Sequence, residues 1–245
     1  MSDSRGTSFH QAADAYARAR PSYLPEPVAW MLPAGSVDVA DVGAGTGKLS
    51  AVIAGSGRAV VAIDPDAGML AKLREEHPGI RTEAGSAEHL PLPDASVDVV
   101  TFGQAWHWVD PPAATAEVAR VLRPGGTIGL IWNIRDLRGG WAGELSQLIH
   151  ASDAEEFVAA GGPVLGAPFG AIETATFEWA NPLTVDGLVD LVASRSATIA
   201  ASEGERAELL ARVRELGERT LAAEGALHLP YVTHVYRATL PRTAA

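Results

Sequence analysis

The 245-residue sequence predicts an α/β fold: a doubly wound, mostly parallel sheet with helices on both faces. Three observations carry this expectation. Strand-like and helix-like stretches alternate from Val37 to Trp132. The segment Val97–Gly103 is largely apolar, as a parallel strand covered on both faces must be. A glycine cluster at 43–47 joins a strand to a helix. With 47% hydrophobic and 20% charged residues, the chain has a sizeable core and needs no covalent staples.

The elements follow in order. Residues 9–19 read as a helix that stops before Pro21, because a residue preceding proline avoids the α region. A short helix is expected at 25–32, a buried strand at Val37–Val42 and a helix at 47–54. A second strand at Val60–Asp64 leads into a helix over 66–76, with Asp66 at its start and His77-Pro78 at its end. A short strand near 80–84 precedes Val97–Gly103. A helix over 112–121 then gives way to Arg123-Pro124-Gly125-Gly126, which reads as a turn, and to a strand at Thr127–Trp132. In the less regular last third, helices are expected at 141–150, 184–194 and 203–222, and strands at 171–179 and 230–240. In the helix over 203–222, Leu209, Leu210, Val213, Leu216 and Leu221 form a core-facing stripe.

Bulk properties exclude several functions. The chain has no cysteine, so disulfides and thiolate metal sites are out and a cytoplasmic location is expected. A net charge of −11 argues against a nucleic-acid partner. The N-terminal segment lacks the apolar core of a secretory signal. No apolar run approaches the roughly 20 residues of a membrane span, so no membrane partner is expected. His150, His228 and His234 lack metal-ligand spacing, and His10, His77 and His89 read as helix or loop residues; no metal is expected.

The sharpest signal is Asp41-Val42-Gly43-Ala44-Gly45-Thr46-Gly47. Glycines allow positive φ and close ligand approach, and the following helix offers free N–H groups. A dinucleotide fingerprint places its third glycine where this chain has Lys48. Asp41 would repel a pyrophosphate, whereas it can accept from an ammonium group. Asp64, about twenty residues past the loop, stands where an acid holds ribose hydroxyls in either ligand class.

These residues resemble the class I S-adenosylmethionine-dependent methyltransferases, in particular the methyltransferase type 11 group. Asp41–Gly47 is similar to the family's first motif and VVAIDPDAGML to its second. GSAEHLPLPDASVDVV is similar to its third and fourth, and RVLRPGGTIGLIWN to its fifth. YARARPSY, QAWHWVD and IWNIRD resemble a microbial subgroup that includes trans-aconitate and cantharidin methyltransferases.

The resemblance implies a Rossmann-like sheet with one antiparallel edge strand and a single domain over 1–245. Within it, 1–35 would form a helical lid, 36–134 the cofactor core, and 135–245 a substrate cap with C-terminal strands. It implies S-adenosylmethionine as cofactor, S-adenosylhomocysteine as product and methylation of oxygen, nitrogen or carbon in a small-molecule acceptor, by a monomer or homodimer. Asp41, Gly43, Ala44, Gly45, Thr46 and Gly47 would surround the methionine part. Asp64 would hold the ribose, with Pro65 and Met69 nearby; Ser86, Ala87 and Glu88 would contact adenine. Gln104 and Ala105 would approach the sulfonium, and Tyr16 and Arg20 would reach the methionine carboxylate.

For chemistry, His107 follows the fourth strand and is the candidate base. Trp106 and Trp108 are candidate walls of the acceptor pocket, facing the same way if the segment is extended. Arg135 and Arg195, with Arg138 beside them in reach, are candidates to grip an acidic acceptor. Two rivals stay open: a cofactor-binding module without catalysis, and a nicotinamide oxidoreductase, against which Lys48 argues.

Overall fold

A computed structural model describes residues 21–242. The expected helix at 9–19, with Tyr16 and Arg20, lies outside the described residues. The elements are α1 (Pro25–Met31), β1 (Asp38–Val42), α2 (Lys48–Gly55), β2 (Ala59–Asp64), α3 (Ala67–Glu76), β3 (Arg81–Ala84) and β4 (Val97–Gly103). There follow a 3₁₀ turn at Trp106–Trp108, α4 (Pro111–Val121), β5 (Leu122–Arg135), α5 (Gly140–Leu148), α6 (Asp153–Ala159) and β6 (Glu173–Leu183). The chain continues with α7 (Val185–Ala193), α8 (Ser196–Ala200), α9 (Glu203–Glu224) and β7 (Leu227–Thr239).

The strands form one seven-stranded sheet in the order β3-β2-β1-β4-β5-β7-β6. The β3-β2-β1-β4-β5 part is parallel throughout. β7 lies antiparallel beside β5: Gly125 N near the start of β5 donates to Leu240 O just past the end of β7, whereas Asn133, late in β5, meets Thr233 in mid-β7. This is the Rossmann-like sheet with an antiparallel edge. Because β1 to β4 are parallel, the loops after them emerge at one sheet edge, where open α/β sheets bind ligands.

Local chemistry explains the boundaries. Asp66 caps α3 by accepting from Gly68 N at 2.7 Å and Met69 N at 3.1 Å. Asp110 caps α4 through Ala113 N, with Pro111 in the first turn, where its missing N–H costs nothing. A Ser202–Glu205 capping box opens α9, and Gly225 closes it at φ +77°.

The structure corrects the reading of Arg123–Gly126 as a separate turn. The stretch lies within β5, where the register against β4 slips between Val97 and Val99. Gly125 at φ +84° carries the bulge, and its N–H and the Gly126 carbonyl pair with Leu240. The short helices α6 and α8 had no counterpart in the sequence reading.

The described residues divide into two compact units: a core unit of 22–133, 157–177 and 233–242, and a second unit of 134–156 and 178–232. The core unit packs Val28, Met31, Ile53, Val99, Ile131 and Val235 together, with Phe177 against them. In the second unit, α9 packs on α7 and α5 around Leu145, Leu188, Val192, Val213 and Leu229. Val213 and Leu216 of the α9 stripe are buried, but Leu221 is 42% exposed and leaves the stripe. No helix among the described residues is long and apolar enough to cross a membrane.

Leu188→Ala removes a fully buried side chain from this second core. It should cost about 2–5 kcal/mol in chemical denaturation, whereas Leu221→Ala should stay within about 0.5 kcal/mol of wild type. Equal losses would mean that α9 packs in a different rotation.

Candidate active site

The site grows from the end of β1. Gly43, Gly45 and Gly47 take φ of +66°, +56° and +87°, values that L side chains rarely adopt. At Gly43 the reason is also contact, because a Cβ there would lie 2.6 Å from the Ala105 Cβ. This approach brings the segment after β4 against the glycine loop. Gly45 has open space where a Cβ would stand. Gly47 N donates to Ala44 O at 2.9 Å and Ala44 N to Ile63 O at 3.1 Å, so the loop is tied to β2.

Asp64, at the end of β2, is buried at this edge. Its Oδ2 accepts from Gly45 N and its Oδ1 from Asp66 N, both at 2.8 Å. One carboxylate thus joins the glycine loop to the entrance of α3. Each oxygen spends one lone pair this way and keeps another. Beside it Pro65 is exposed and Met69 half-buried.

Asp41 departs from its expected role. Its carboxylate is completely buried, accepting from Ser50 Oγ at 2.5 Å and Thr101 Oγ1 at 3.0 Å. It binds β1 to α2 and β4 and is committed inside the fold instead of facing an ammonium group. Ser50 and Thr101 were not legible as its partners. Burial pushes the Asp41 carboxyl up to about 6, against the lowering effect of those two hydroxyls.

After β3, Ser86 and His89 exchange backbone bonds in a tight turn. Glu88 accepts from Asp110 N at 3.0 Å and from the Ser86 side chain. The carboxylate is therefore a clasp between this turn and α4, and Ala87 is buried between them in sequence.

After β4 the chain turns sharply. Gln104 takes φ +57°, its N–H donates to Ile131 O at 2.9 Å, and its Nε2 donates to Asn133 O at 3.3 Å. The tryptophans do not face the same way as expected. Trp106 is 1% exposed and packs edge-on against Phe102 at 4.9 Å, a core residue and not a pocket wall, whereas Trp108 is 69% exposed. The cause is the 3₁₀ turn over Trp106–Trp108, which replaces the two-residue alternation of extended chain.

His107 sits between them, half-buried in an aromatic cluster. Its ring centroid lies 4.8 Å from Trp108, 6.0 Å from Phe157 and 6.5 Å from Trp132. Trp132, fully buried, donates its indole N–H to His107 Nδ1 at 3.3 Å. Without that acceptor the buried N–H would cost about 1–3 kcal/mol. Phe157 and Tyr236 flank Trp132 at 5.2 and 5.7 Å. Neither carried a signal in sequence, since both come from segments distant from the motifs.

The expectation that Arg135 and Arg195 await an acidic acceptor is also corrected. In the second unit Arg135 grips Glu155 with bonds of 3.0, 2.7 and 2.8 Å, and its side chain is almost fully buried. Arg195 donates to His150 O and lies 3.9 Å from the same carboxylate. A buried guanidinium needs a paired anion, and α6 supplies it. Burial alone would raise the Glu155 carboxyl; the Arg135 charge and the Ser152 bonds hold it below its ordinary value. Arg138 is exposed and paired with Asp136 at 2.7 Å.

Residues 40–130 match the family described as "Methyltransferase domain". An uncharacterized methyltransferase of Mycobacterium tuberculosis is 48% identical over 240 residues, covering 95% of this chain and 96% of its own length. The chain belongs to the methyltransferase family. A solved structure from Anaeromyxobacter dehalogenans, described as a type II methyltransferase, superposes with a TM-score of 0.73 at 25% identity, covering 91% of this chain and 98% of that one. A malonyl-[acyl-carrier protein] O-methyltransferase of Pectobacterium atrosepticum is 41% identical over 119 residues, 48% of this chain and 46% of its own. The family match of this methyltransferase thus spans the glycine loop, Asp64, the Ser86–Glu88 turn and His107.

The buried acid of this methyltransferase has a pH consequence. A folded value near 6 against an ordinary 3.8 means that the folded state holds a proton the unfolded chain has lost. Stability from Asp41 is therefore greatest below about pH 4, falls as pH rises to about 6, and is flat above; the total is about 3 kcal/mol. Asp41→Asn, which stays neutral, should gain stability relative to wild type between pH 5 and pH 8 in urea titrations. An equal difference at both pH values would show that the carboxylate carries no such cost.

Proposed function

We propose that this methyltransferase takes its methyl group from S-adenosylmethionine and delivers it to a small-molecule acceptor, releasing S-adenosylhomocysteine. The observation that carries the reading is the Asp64 carboxylate, held by Gly45 N and Asp66 N at the sheet edge. Its two remaining lone pairs match the two vicinal hydroxyls of a ribose.

The residues present fit the cofactor. The open space at Gly45 is a cradle that a Cβ would begin to fill, and α2 opens directly after the loop, so that in this reading its positive dipole end lies beside the methionine part. In this reading Asp64 binds the ribose, Pro65 and Met69 border the adenosine, and Gly43 to Gly47, with Ala44 and Thr46, border the methionine part. Asp41 acts behind that loop by holding α2 to β1 through Ser50. The Ser86 hydroxyl and the Glu88 carboxylate are engaged with each other, so adenine contact falls to the backbone around Ser86 and Ala87. Gln104 and Ala105 stand nearest the reacting centre.

Bound there, the cofactor supplies an electrophilic methyl on a sulfonium, and the protein's task is orientation and exclusion of water. The lone pair of the acceptor must arrive in line with the methyl. Whether the accepting atom is oxygen, nitrogen or carbon is set by the acceptor-side residues, among which His107 and the exposed Trp108 are the candidates nearest the loop.

Calorimetry with S-adenosylmethionine and with NAD tests the reading. Wild type should bind the former, and Asp64→Ala should weaken that binding at least about tenfold, the scale of losing charge-assisted hydrogen bonds. Asp64→Asn, which keeps one acceptor oxygen, should fall between. Binding of NAD in preference, or unchanged affinity in both variants, would overturn the assignment.

A further inference from the structure

We infer that Asn133 is a positioning residue of the cofactor site, holding the two segments that bracket the end of β4, Ser22-Tyr23 and Gln104, so that the methionine end of the cofactor meets a preset wall. The inference rests on the reading above that Gly43 to Gly47 border the methionine part and Asp64 the ribose. Asn133 stands near the end of β5, beyond the family match that closes at residue 130. It is 7% exposed and bonds in three directions. Its Oδ1 accepts from Thr233 Oγ1 at 2.8 Å, its Nδ2 donates to Ser22 O at 3.3 Å, and its backbone carbonyl accepts from Gln104 Nε2 at 3.3 Å. A carbonyl can only accept, so the amide must turn its NH₂ to Ser22, and its orientation is fixed by chemistry. Asn133 is thus anchored on β7 and reaches both other segments from there.

Those segments meet at the end of β4. A Cβ on Gly103, the last residue of that strand, would lie 2.7 Å from Tyr23 Oη, 3.1 Å from Tyr23 Cζ and 3.0 Å from Leu49 Cδ2 in the first turn of α2. The phenol end of Tyr23 therefore takes the place of a side chain at Gly103. What matters is this bulk, not the partner of the hydroxyl. Gln104 follows at φ +57°, a conformation that a non-glycine residue holds where its surroundings fix it. Two bonds to β5 do so: Gln104 N–H to Ile131 O at 2.9 Å, and the side-chain amide to Asn133 O. Ala105, next in the chain, lies against Gly43. Tyr23, Gly103, Gln104 and Ala105 form a continuous border that ends on the glycine loop.

The sheet order decides which end of the cofactor this border serves. β1, which carries the glycine loop, lies between β2 and β4. Asp64 ends β2, so the border at the end of β4 stands on the opposite side of the loop from the ribose acid. It therefore faces the amino-acid end. Loss of the Asn133 side chain releases Ser22 and lets Tyr23 leave Gly103, while the backbone bond to Gln104 loses the Thr233 anchor behind it. Ordering this border then falls to the ligand, and affinity drops by the cost of that ordering.

Calorimetry on the full-length protein compares S-adenosylhomocysteine with methylthioadenosine, which shares the adenosine but lacks the amino-acid end. Asn133→Ala should weaken S-adenosylhomocysteine about tenfold, the scale of one hydrogen bond, and leave methylthioadenosine within about twofold of wild type. Asn133→Asp, which turns a carboxylate oxygen towards the Ser22 carbonyl, should show the same split. Gly103→Ala keeps Asn133 and displaces Tyr23; Gly103 has no positive φ, so alanine suits its backbone, and the split should appear again. Tyr23→Phe keeps the bulk and should stay near wild type for both ligands. Urea titration of each variant separates affinity from stability. Lower stability with unchanged affinity, or equal weakening of both ligands, is the mark of a purely structural role and overturns the inference. A Tyr23→Phe loss as large as that of Gly103→Ala overturns the role of bulk. Should Asn133→Ala fail to fold, Gly103→Ala decides by the same criterion. Wild type that binds neither ligand, or Asp64→Ala that leaves both unchanged, overturns the cofactor reading and the inference with it; a loss in Asp64→Ala with no split at Asn133 overturns the inference alone.

Discussion

The Asp41 carboxylate, sealed between β1, α2 and β4, is the constraint on which the rest of the site depends. Burying an anion is expensive, and the fold offsets only part of that with the hydroxyls of Ser50 and Thr101 and the Ser50 backbone N–H. The cost has a geometric return. Ser50 lies one turn into α2, so its bond fixes how the helix leaves the glycine loop. Thr101 lies on β4, in register with Asp41 across the sheet. The strand that delivers Gln104 and Ala105 is thereby locked to the strand that delivers Gly43, and the close approach of Ala105 to Gly43 follows. Asp64 then pins the outer side of the same loop through Gly45 N. The loop is held by both carboxylates, and of the two only Asp64 keeps any solvent exposure.

Much of this frame was legible in sequence because it rests on local signals. Val97–Gly103 and the Asp66 cap read directly from apolar runs and capping chemistry, and the glycine pattern marked its own strand–helix junction. What was not legible depends on partners far along the chain. Asp41 and Thr101 are 60 residues apart, and a composition rule that sends an acid towards a ligand's ammonium has no means of knowing that a hydroxyl waits inside. Arg135 and Glu155 are 20 residues apart, with α5 between them in sequence and Glu155 beyond every motif. The tryptophan pair failed for a different reason. Alternation holds only in extended chain, and the left-handed Gln104 starts a tight turn in which Trp106 goes to the core and Trp108 to solvent. Similarly, the Arg123–Gly126 stretch has turn composition, yet the sheet absorbs it as a bulge because β7 supplies hydrogen-bond partners on the other side.

The two polar clusters of the molecule handle buried charge in opposite ways. In the second unit, Arg135 and Arg195 converge on Glu155, and the carboxyl is held ionised by the guanidinium against the pull of burial. In the core unit, no cation among the described residues pairs with Asp41, and burial pushes its carboxyl up towards the range where it takes a proton. The first arrangement is insensitive to moderate pH change; the second is not. The pH response of the folded state should therefore reside in the core unit.

The family match and the groups around His107 fall in different parts of the chain. The family match covers residues 40–130, which hold the glycine loop, Asp64 and His107. Several groups around His107 lie beyond it: Trp132 near the end of β5 and Phe157 touch the ring, and Tyr236 packs on Trp132, the last two from later segments of the core unit. A change at Trp132 would remove the buried indole donor to His107 Nδ1 without touching a residue of the glycine loop or Asp64. The frame shared with the family and the packing around His107 are thus separable in sequence, as expected when chemistry is grafted on a common fold. Acceptor preference in this methyltransferase should accordingly follow residues 132, 157 and 236 more closely than the motifs by which the family is recognised.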